Sequence, residues 1–454
     1  MRRDNRQMLQ GPILTNVIRY TIPIILTSWL QLLFNAADLV VVGQFDGSNS
    51  LAAVGATGAI TNLIVNLFIG LSVGAGVGVA HGLGSGDDEV VHRTIHTAIP
   101  AAIFSGLFLT VVGVSLSKTF LTWMDTPENI LPMSTLYMQI YFGGMTFNMV
   151  YNFAASMLRA AGDTQSPLKF LSIAGVVNVV LNLIFVTVFH MNVAGVALAT
   201  AISQAVSAVL VVRTLMRRTD ACKLELKKMR IYQPQLMKMI RIGLPAGVQG
   251  SMFSISNVMI QSSINSFGDI VMSGNTAAGN IEGFIFTAMN ALHQTAVNFT
   301  GQNVGARQYD RVKKILWTCL GCVTVAGLAL GTLAYAFGEN LLGIYIPDSP
   351  EAIGYGLTRM RYICAVYFLC GLMDVSTGAL RGMGASAVPM IISVLGVCGV
   401  RLLWIATIFQ MPQYHSVDSL YVSYGVSWTI TFVAQFVAFW LVYNKQKRKA
   451  ESLA

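Results

Sequence analysis

The chain has 454 residues, 54% of them apolar and only 11% charged, against roughly 25% charged in ordinary soluble domains. Its mean hydropathy is +0.62, more apolar surface than a soluble fold can hide, because single cores stop growing near about 300 residues. A cytosolic enzyme and a disordered or fibrous chain are therefore excluded, and the composition predicts a polytopic helical membrane protein.

A helix needs roughly 20 apolar residues to cross a bilayer, and unpaired backbone groups are intolerable in lipid, which selects helices over open strands. In chain order the apolar runs predict spans at 15–42, 51–80, 94–116, 131–158, 168–189 and 193–216. A second set follows at 240–266, 275–302, 314–337, 353–380, 387–409 and 419–443. No short apolar stretch with a small-residue cleavage site precedes span 1, which reads as an uncleaved anchor.

The formal net charge of +9 is not the footprint of a nucleic-acid binder, because the basic residues sit in short gaps between spans. With both termini placed in the cytoplasm, the inside segments take every Lys and Arg except Lys118, Arg359, Arg361 and Arg401. Such an asymmetry follows the positive-inside rule and would not survive a wrong span count. The reading is a multi-pass plasma-membrane protein with both termini cytoplasmic.

Five of the six cysteines lie in apolar runs, so no disulfide framework is implied. Gly70, Gly74, Gly78, Gly82 and Gly86 recur every four residues through span 2. Fragments of that run imitate a dinucleotide fingerprint, but no strand precedes them. The spacing is instead the small-xxx-small pattern that lets helices approach closely. Neither a Walker loop, a nucleophile elbow nor histidines at zinc spacing appear. The reading is a non-enzyme with no metal and no cofactor.

The two halves repeat at an offset near 222 residues. Arg19-Tyr-Thr-Ile-Pro23 aligns with Arg241-Ile-Gly-Leu-Pro245, and Leu158-Arg159-Ala-Ala-Gly162 with Leu380-Arg381-Gly-Met-Gly384. Six spans per copy make the repeats parallel, about an axis along the membrane normal. The expected organisation is an N-lobe at 1–216, a basic cytoplasmic linker at 217–238 and a C-lobe at 239–454. Two complete lobes in one chain make a monomer sufficient.

These residues resemble the multidrug and toxic compound extrusion (MATE) family of cation-coupled efflux transporters. The likeness covers nearly the whole chain. It is carried by Pro23, Phe34-Asn-Ala-Ala-Asp38, Val42-Gly43, Leu51-Ala-Ala-Val-Gly55, Gly70-Leu-Ser-Val-Gly74, the two Leu-Arg segments and Gln302-Asn-Val-Gly305. The resemblance implies an all-α integral membrane fold of twelve helices in two pseudo-symmetric six-helix lobes. It also implies export of organic cations or amphipathic toxicants, driven by inward H⁺ or Na⁺ flow without ATP.

Three acids fall clearly inside predicted spans: Asp38, Glu282 and Asp374. A charge at the bilayer centre costs roughly 2.5–3.5 kcal/mol on insertion scales, so each invites a functional reading with a named partner. Asp38 matches the span-1 aspartate that the family uses for ion coupling; a capped structural carboxylate is the alternative. The proton-coupled branch adds a span-5 Asn and an Asp one turn later. Here those positions are Asn178 and Asn182, sharing a face at i, i+4, so the second acid is absent. Their amide oxygens could ligate Na⁺ or hold a protonated Asp38. Asn152 in span 4, and Thr200 with Gln204 in span 6, read either as further ion-coupling or cavity groups or as interhelical glue.

Arg401 lies near Glu282 in estimated depth, so an ion pair between them is expected. Asp374 stands one turn after the position of the acid in the sodium-coupled branch, where this chain has Cys370. It is a candidate second acidic site or cavity residue, as is Glu282. His293 reads either as a group titrating near neutrality or as a satisfied buried histidine. The leading reading is a secondary multidrug exporter working by rocker-switch alternating access, with small cationic or amphipathic molecules and the lipid bilayer as its partners. The rival is a flippase for a lipid-linked oligosaccharide or cell-wall precursor. A flippase would need a strongly cationic cavity.

Overall fold

The computed structural model describes residues 8–45 and 48–452, so the basic residues Arg2, Arg3 and Arg6 lie outside the described residues. The first half comprises α1 (Ile13–Phe45), α2 (Ser48–Ser85), α3 (Asp88–Trp123), α4 (Leu131–Gly143), α5 (Met145–Ala160), α6 (Gln165–Leu183) and α7 (Asn192–Arg217). The second comprises α8 (Gln233–Asn265), α9 (Asp269–Gly305), α10 (Tyr309–Ala336), α11 (Gly338–Tyr345), α12 (Pro350–Gly382), α13 (Ala387–Ser393), α14 (Val400–Ala406) and α15 (Val417–Glu451). A π-helical stretch, Ile184–Val188, continues α6, and another, Val394–Gly399, joins α13 to α14. Counting α4 with α5 and α13 with α14 as one rod each, and setting aside the short α11, the helices form the twelve spans of a two-lobed all-α membrane fold.

Nine of these rods are long and apolar enough to cross a membrane by composition alone, among the described residues. The others have local reasons. The α4–α5 rod is interrupted at Gly144, while α8 and α9 are more polar. Buried along α9 are Asn275, Glu282, His293, Asn298, Gln302 and Asn303, tolerable in lipid only where protein covers them.

Helix ends follow ordinary capping chemistry. Asp87 accepts from the Val90 amide at 3.1 Å, with Asp88 and Glu89 in the first turn of α3. Ser349 and Ser416 cap α12 and α15 in the same way. Each arrangement satisfies an otherwise orphaned N–H and opposes the helix dipole.

The chain forms two compact units. One holds Ile22–Gly247, that is, most of α1, all of α2–α7 and the first part of α8. Its core is built from Phe142, Phe153, Met138, Met145, Met149 and Leu109. In this unit α2 meets the start of α8 backbone to backbone. A Cβ added at Gly70 would overlap the Gly247 nitrogen, and one at Gly74 would overlap the Met239 carbonyl oxygen. Within a bilayer such contacts carry much of the association energy, because lipid offers no hydrophobic drive between helices.

The segment after α7 packs onto α3 within the same unit. The Glu225 amide donates to His96 Nε2 at 3.0 Å, and the Tyr232 amide to Thr97 Oγ1 at 3.1 Å. Arg218 and Asp220 form a two-pronged ion pair at 3.0 and 2.5 Å. Cys222 is buried there, and that burial pushes its thiol up to about 12.

The second unit holds Met8–Thr21 and the chain from Val248 onward. Helix α12 is its axis, packing on α9, α10 and α15. The start of α1 is tied in by Tyr20 Oη accepting from Asn298 Nδ2 at 2.8 Å and by a 2.7 Å bond between the Thr21 and Thr295 hydroxyls. The chain thus changes unit inside α1 and inside α8, each time within two residues of a helix-internal proline, Pro23 or Pro245.

Candidate functional site

Late in α1, the half-buried Asp38 turns its carboxylate toward α6. The helical i, i+4 spacing stacks Asn178 and Asn182 on one face. Asn182, fully buried, donates its amide to Asp38 Oδ1 and reaches Asn178 Oδ1 at 3.2 Å. Asn178 in turn donates to Thr200 Oγ1 on α7 at 3.3 Å, and Thr200 donates to the Val196 carbonyl at 3.0 Å. Around this chain of polar groups stand Val41, Val42, Val186 and Val196, packed with Tyr137. The result is a short polar relay across three helices in an apolar setting.

The donor count in this relay matters. Both Asn182 N–H groups are used, while its Oδ1 is buried without a partner among the described residues. An unpaired buried acceptor costs about 1–3 kcal/mol, and a donor or cation reaching Asn182 Oδ1 would remove that cost. Hard oxygen donors of this kind suit a proton or an alkali cation. No group of three or more His, Cys, Asp or Glu suited to a metal occurs among the described residues.

Two expected members stand apart from this relay. Asn152 donates to the Asn148 carbonyl and side-chain oxygens, both at 2.9 Å, within its own helix. Gln204 Oε1 is buried without a partner among the described residues, close to Gly144.

In the other unit Glu282 is paired, but not with Arg401. Arg359 Nε lies 3.0 and 3.2 Å from the two Glu282 oxygens, and its Nη2 lies 2.7 Å from Oε2. Asn275 completes the set, accepting from Arg359 Nη1 at 2.6 Å and from Tyr421 Oη at 3.1 Å. The expected Glu282–Arg401 pair fails because matching depth does not decide which helices face each other. Glu282 on α9 lies against α12, whereas Arg401 on α14 turns toward α15. There it sits 4.1 Å above the Tyr424 ring and donates to Ser427 Oγ at 3.1 Å. A buried guanidinium satisfied by ring faces and hydroxyls needs no carboxylate.

Deeper in the same unit runs a second polar chain. His293 Nδ1 lies 2.7 Å from the Asp374 backbone carbonyl. A carbonyl only accepts, so Nδ1 carries the proton and Nε2 is left to accept from Arg381 Nη1 at 3.2 Å. Arg381 Nη2 donates to Gln249 Oε1 at 2.6 Å, and Gln249 Nε2 to Ser393 Oγ at 3.0 Å. Ser393 also accepts from Gln435 at 2.7 Å. His293 is thereby a neutral bridge with both nitrogens engaged. The Asp374 carboxyl is buried in this unit.

Arg381 and Gln249 escape a reading of the sequence alone. Arg381 looks like one of the inner-end basic residues, yet it is only 7% exposed. The available signal was its place seven residues after Asp374, on the same helix face.

A family model described as MatE matches residues 23–184 and again 245–406, the two halves of the internal repeat. Among curated proteins the chain is 26% identical over 386 residues to "Probable multidrug resistance protein YpnP" of Bacillus subtilis, covering 85% of this chain and 86% of that one. It is 24% identical to "Probable multidrug resistance protein NorM" of Thermotoga maritima, covering 76% and 75%. Its identity to "Multidrug export protein MepA" of Staphylococcus haemolyticus is 20%, over 97% and 95%. The fold is that of solved MATE structures: a MATE protein in its straight conformation superposes with a TM-score of 0.90 at 19% identity, covering 98% of this chain and 99% of the other. A MOP superfamily transporter from Pyrococcus furiosus, described as having a binding pocket of reversed polarity, gives 0.91 at 19% identity, over 98% of each chain.

Proposed function

The chain belongs to the MatE family, and from that premise we propose that it is a secondary multidrug exporter of the plasma membrane. It exchanges organic cations or amphipathic toxicants for inward-moving H⁺ or Na⁺, with both termini cytoplasmic and a monomer as the working unit. The single observation that carries this reading is the relay Asp38–Asn182–Asn178–Thr200, with its unpartnered Asn182 oxygen.

The chemistry follows from charge. An ionised Asp38 in an apolar setting favours a cation beside it, and a proton or Na⁺ placed there neutralises the site that a cationic drug would otherwise use. Occupancy by ion and by drug therefore oppose each other, which is the requirement for exchange. Each charge moved across 100 mV supplies about 2.3 kcal/mol, enough for roughly a 50-fold concentration ratio. Alternating access would come from rocking of the two six-span halves, as in other parallel-repeat transporters. The multidrug names of the YpnP, NorM and MepA relatives support the choice of cargo.

Everted vesicles supplied with an external fluorescent cation test the proposal. Uptake should follow an imposed proton gradient or an imposed sodium gradient, identifying the coupling ion, and Asp38→Asn should lose it. Gradient-independent transport, or rescue of a flippase-deficient strain without drug transport, would overturn it.

A further inference from the structure

We propose that a basic pocket at the start of α10 binds the phosphodiester headgroup of an anionic phospholipid, with the acyl chains lying along an aromatic ladder between α10 and α15. The pocket has a volume of about 360 Å³ and is lined by Arg307, Gln308, Tyr309, Asp310, Arg311 and Lys314. Three of the six are cations. The one acid is already engaged, since Asp310 Oδ1 accepts from Lys447 at 3.2 Å. Three cations against one acid leave the pocket with a positive surplus, and Lys447 beside Asp310 adds to it.

Arg311 is held in place. Its Nε donates to the Met8 carbonyl at 3.3 Å and its Nη1 to the Gly11 carbonyl at 3.1 Å. Its Nη2 is buried without a partner among the described residues. Fixed by two carbonyls, Arg311 brings a positioned positive charge to the pocket wall, and guanidinium groups suit phosphate oxygens. Arg307 and Lys314 are exposed at the pocket rim, where they can close on the same anion.

A soluble phosphate would need only the cations. The surroundings add a lipid signature. Tyr309 stacks edge-on with Tyr443 at 6.1 Å, Tyr443 with Trp440 at 5.4 Å, Trp440 with Phe436 at 6.1 Å and Phe436 with Trp317 at 5.7 Å. This ladder starts at the pocket wall and runs about two turns along α10. Lys313 stands over Trp440 at 5.8 Å. Beside the ladder, Trp317, Val437 and Leu441 are 53%, 53% and 67% exposed. Interfacial Trp and Tyr mark the headgroup level of a bilayer, and basic clusters at that level attract anionic lipid. Charge, ring belt and apolar strip thus line up in the order headgroup, glycerol and acyl chain.

The test uses the full chain in nanodiscs of phosphatidylcholine, with and without phosphatidylglycerol, reading retained lipid by native mass spectrometry and unfolding by intrinsic fluorescence. Wild type should retain phosphatidylglycerol selectively and melt higher with it. The double variant Arg307→Gln with Lys314→Gln should cut that retention by about tenfold or more. Removing two surface cations elsewhere, Arg217→Gln with Lys227→Gln, should leave it intact. Lys314→Gln alone, at an exposed position, should give a partial loss if the double variant folds poorly in pure phosphatidylcholine. Equal retention in all variants would overturn the proposal, as would displacement of the lipid by inorganic phosphate at matched ionic strength, which would mark a soluble-anion site.

Discussion

The amide of Asn182 on α6 donates to the carboxylate of Asp38 on α1, joining residues 144 positions apart. Asn182 has no N–H to spare after this bond and the one to Asn178, and its oxygen is left buried as an acceptor without a partner among the described residues. A carboxylate with an acceptor beside it is an arrangement completed by a cation, and the ion reading of this protein rests on that geometry.

Asp38→Asn should abolish gradient-driven uptake while leaving the fold intact, because the replacement keeps shape and removes charge. Asn182→Ala is the finer probe. Its hydrogen bond orients the carboxylate, so removing it should slow gradient-driven uptake by about tenfold, for a bond to a charged group worth about 1.5 kcal/mol. Uptake rates in vesicles under an imposed ion gradient give the answer, and an unchanged rate would separate Asn182 from the coupling step.

Glu282 and Arg359 form a nearly buried pair, their side chains 4% and 12% exposed. Removing one partner strands a charge, which costs about 3–5 kcal/mol. Glu282→Gln or Arg359→Met alone should therefore lower the melting temperature sharply. The double variant, Arg359→Met with Glu282→Leu, should recover much of it. Should the double variant melt no higher than the worse single, the pair is not what holds α9 to α12.

His293 bridges the Asp374 carbonyl and the Arg381 guanidinium as a neutral ring. A protonated ring would present a second N–H to a guanidinium that can only donate. His293→Gln should thus keep the pH profile of transport while reducing stability. A profile that loses a limb near neutrality in this variant would show that the histidine titrates during the cycle.

The fold was largely legible because its determinants are local and additive. Apolar run length marks the spans, and the repeat of Pro23 with Pro245 or Arg159 with Arg381 marks the duplication that the family model matches twice. The N-side relay was also legible, since i, i+4 spacing on one helix already stacks Asn178 on Asn182. Partner choice between helices was not. Depth along the bilayer pointed Glu282 to Arg401, but helix rotation and neighbourhood, set by packing, gave it Arg359. Arg381 was missed for the same reason: a basic residue at a span end looks solvated until the helices covering it are known.

The Cys222 thiol, pushed up to about 12 by burial, should react slowly with maleimides at pH 8 in the native protein and quickly once unfolded. The sign is that of an acid held neutral. The stability contributed by the uncharged thiol is fully present below the ordinary thiol value near about 8.5. It is lost as pH rises from there toward about 12. Labelling of Cys222 at the unfolded rate in native protein would show that the segment after α7 leaves α3 freely.

The glycines of α2 are not interchangeable, although they share a spacing. At Gly70 and Gly74 an added methyl would overlap backbone atoms of α8, and backbone cannot swing aside as a side chain can. Either Gly→Ala change must separate the helices, and overpacking of this kind costs about 1–3 kcal/mol. At Gly55 and Gly58 nothing among the described residues lies within 4 Å of the new carbon, so alanine there should gain up to about 1 kcal/mol of helix propensity. Thermal melts of the four single variants should therefore split by sign, with Gly70→Ala and Gly74→Ala lower than wild type and the outer pair equal or higher. If all four moved together, the close approach of α2 and α8 would not govern the stability of that unit.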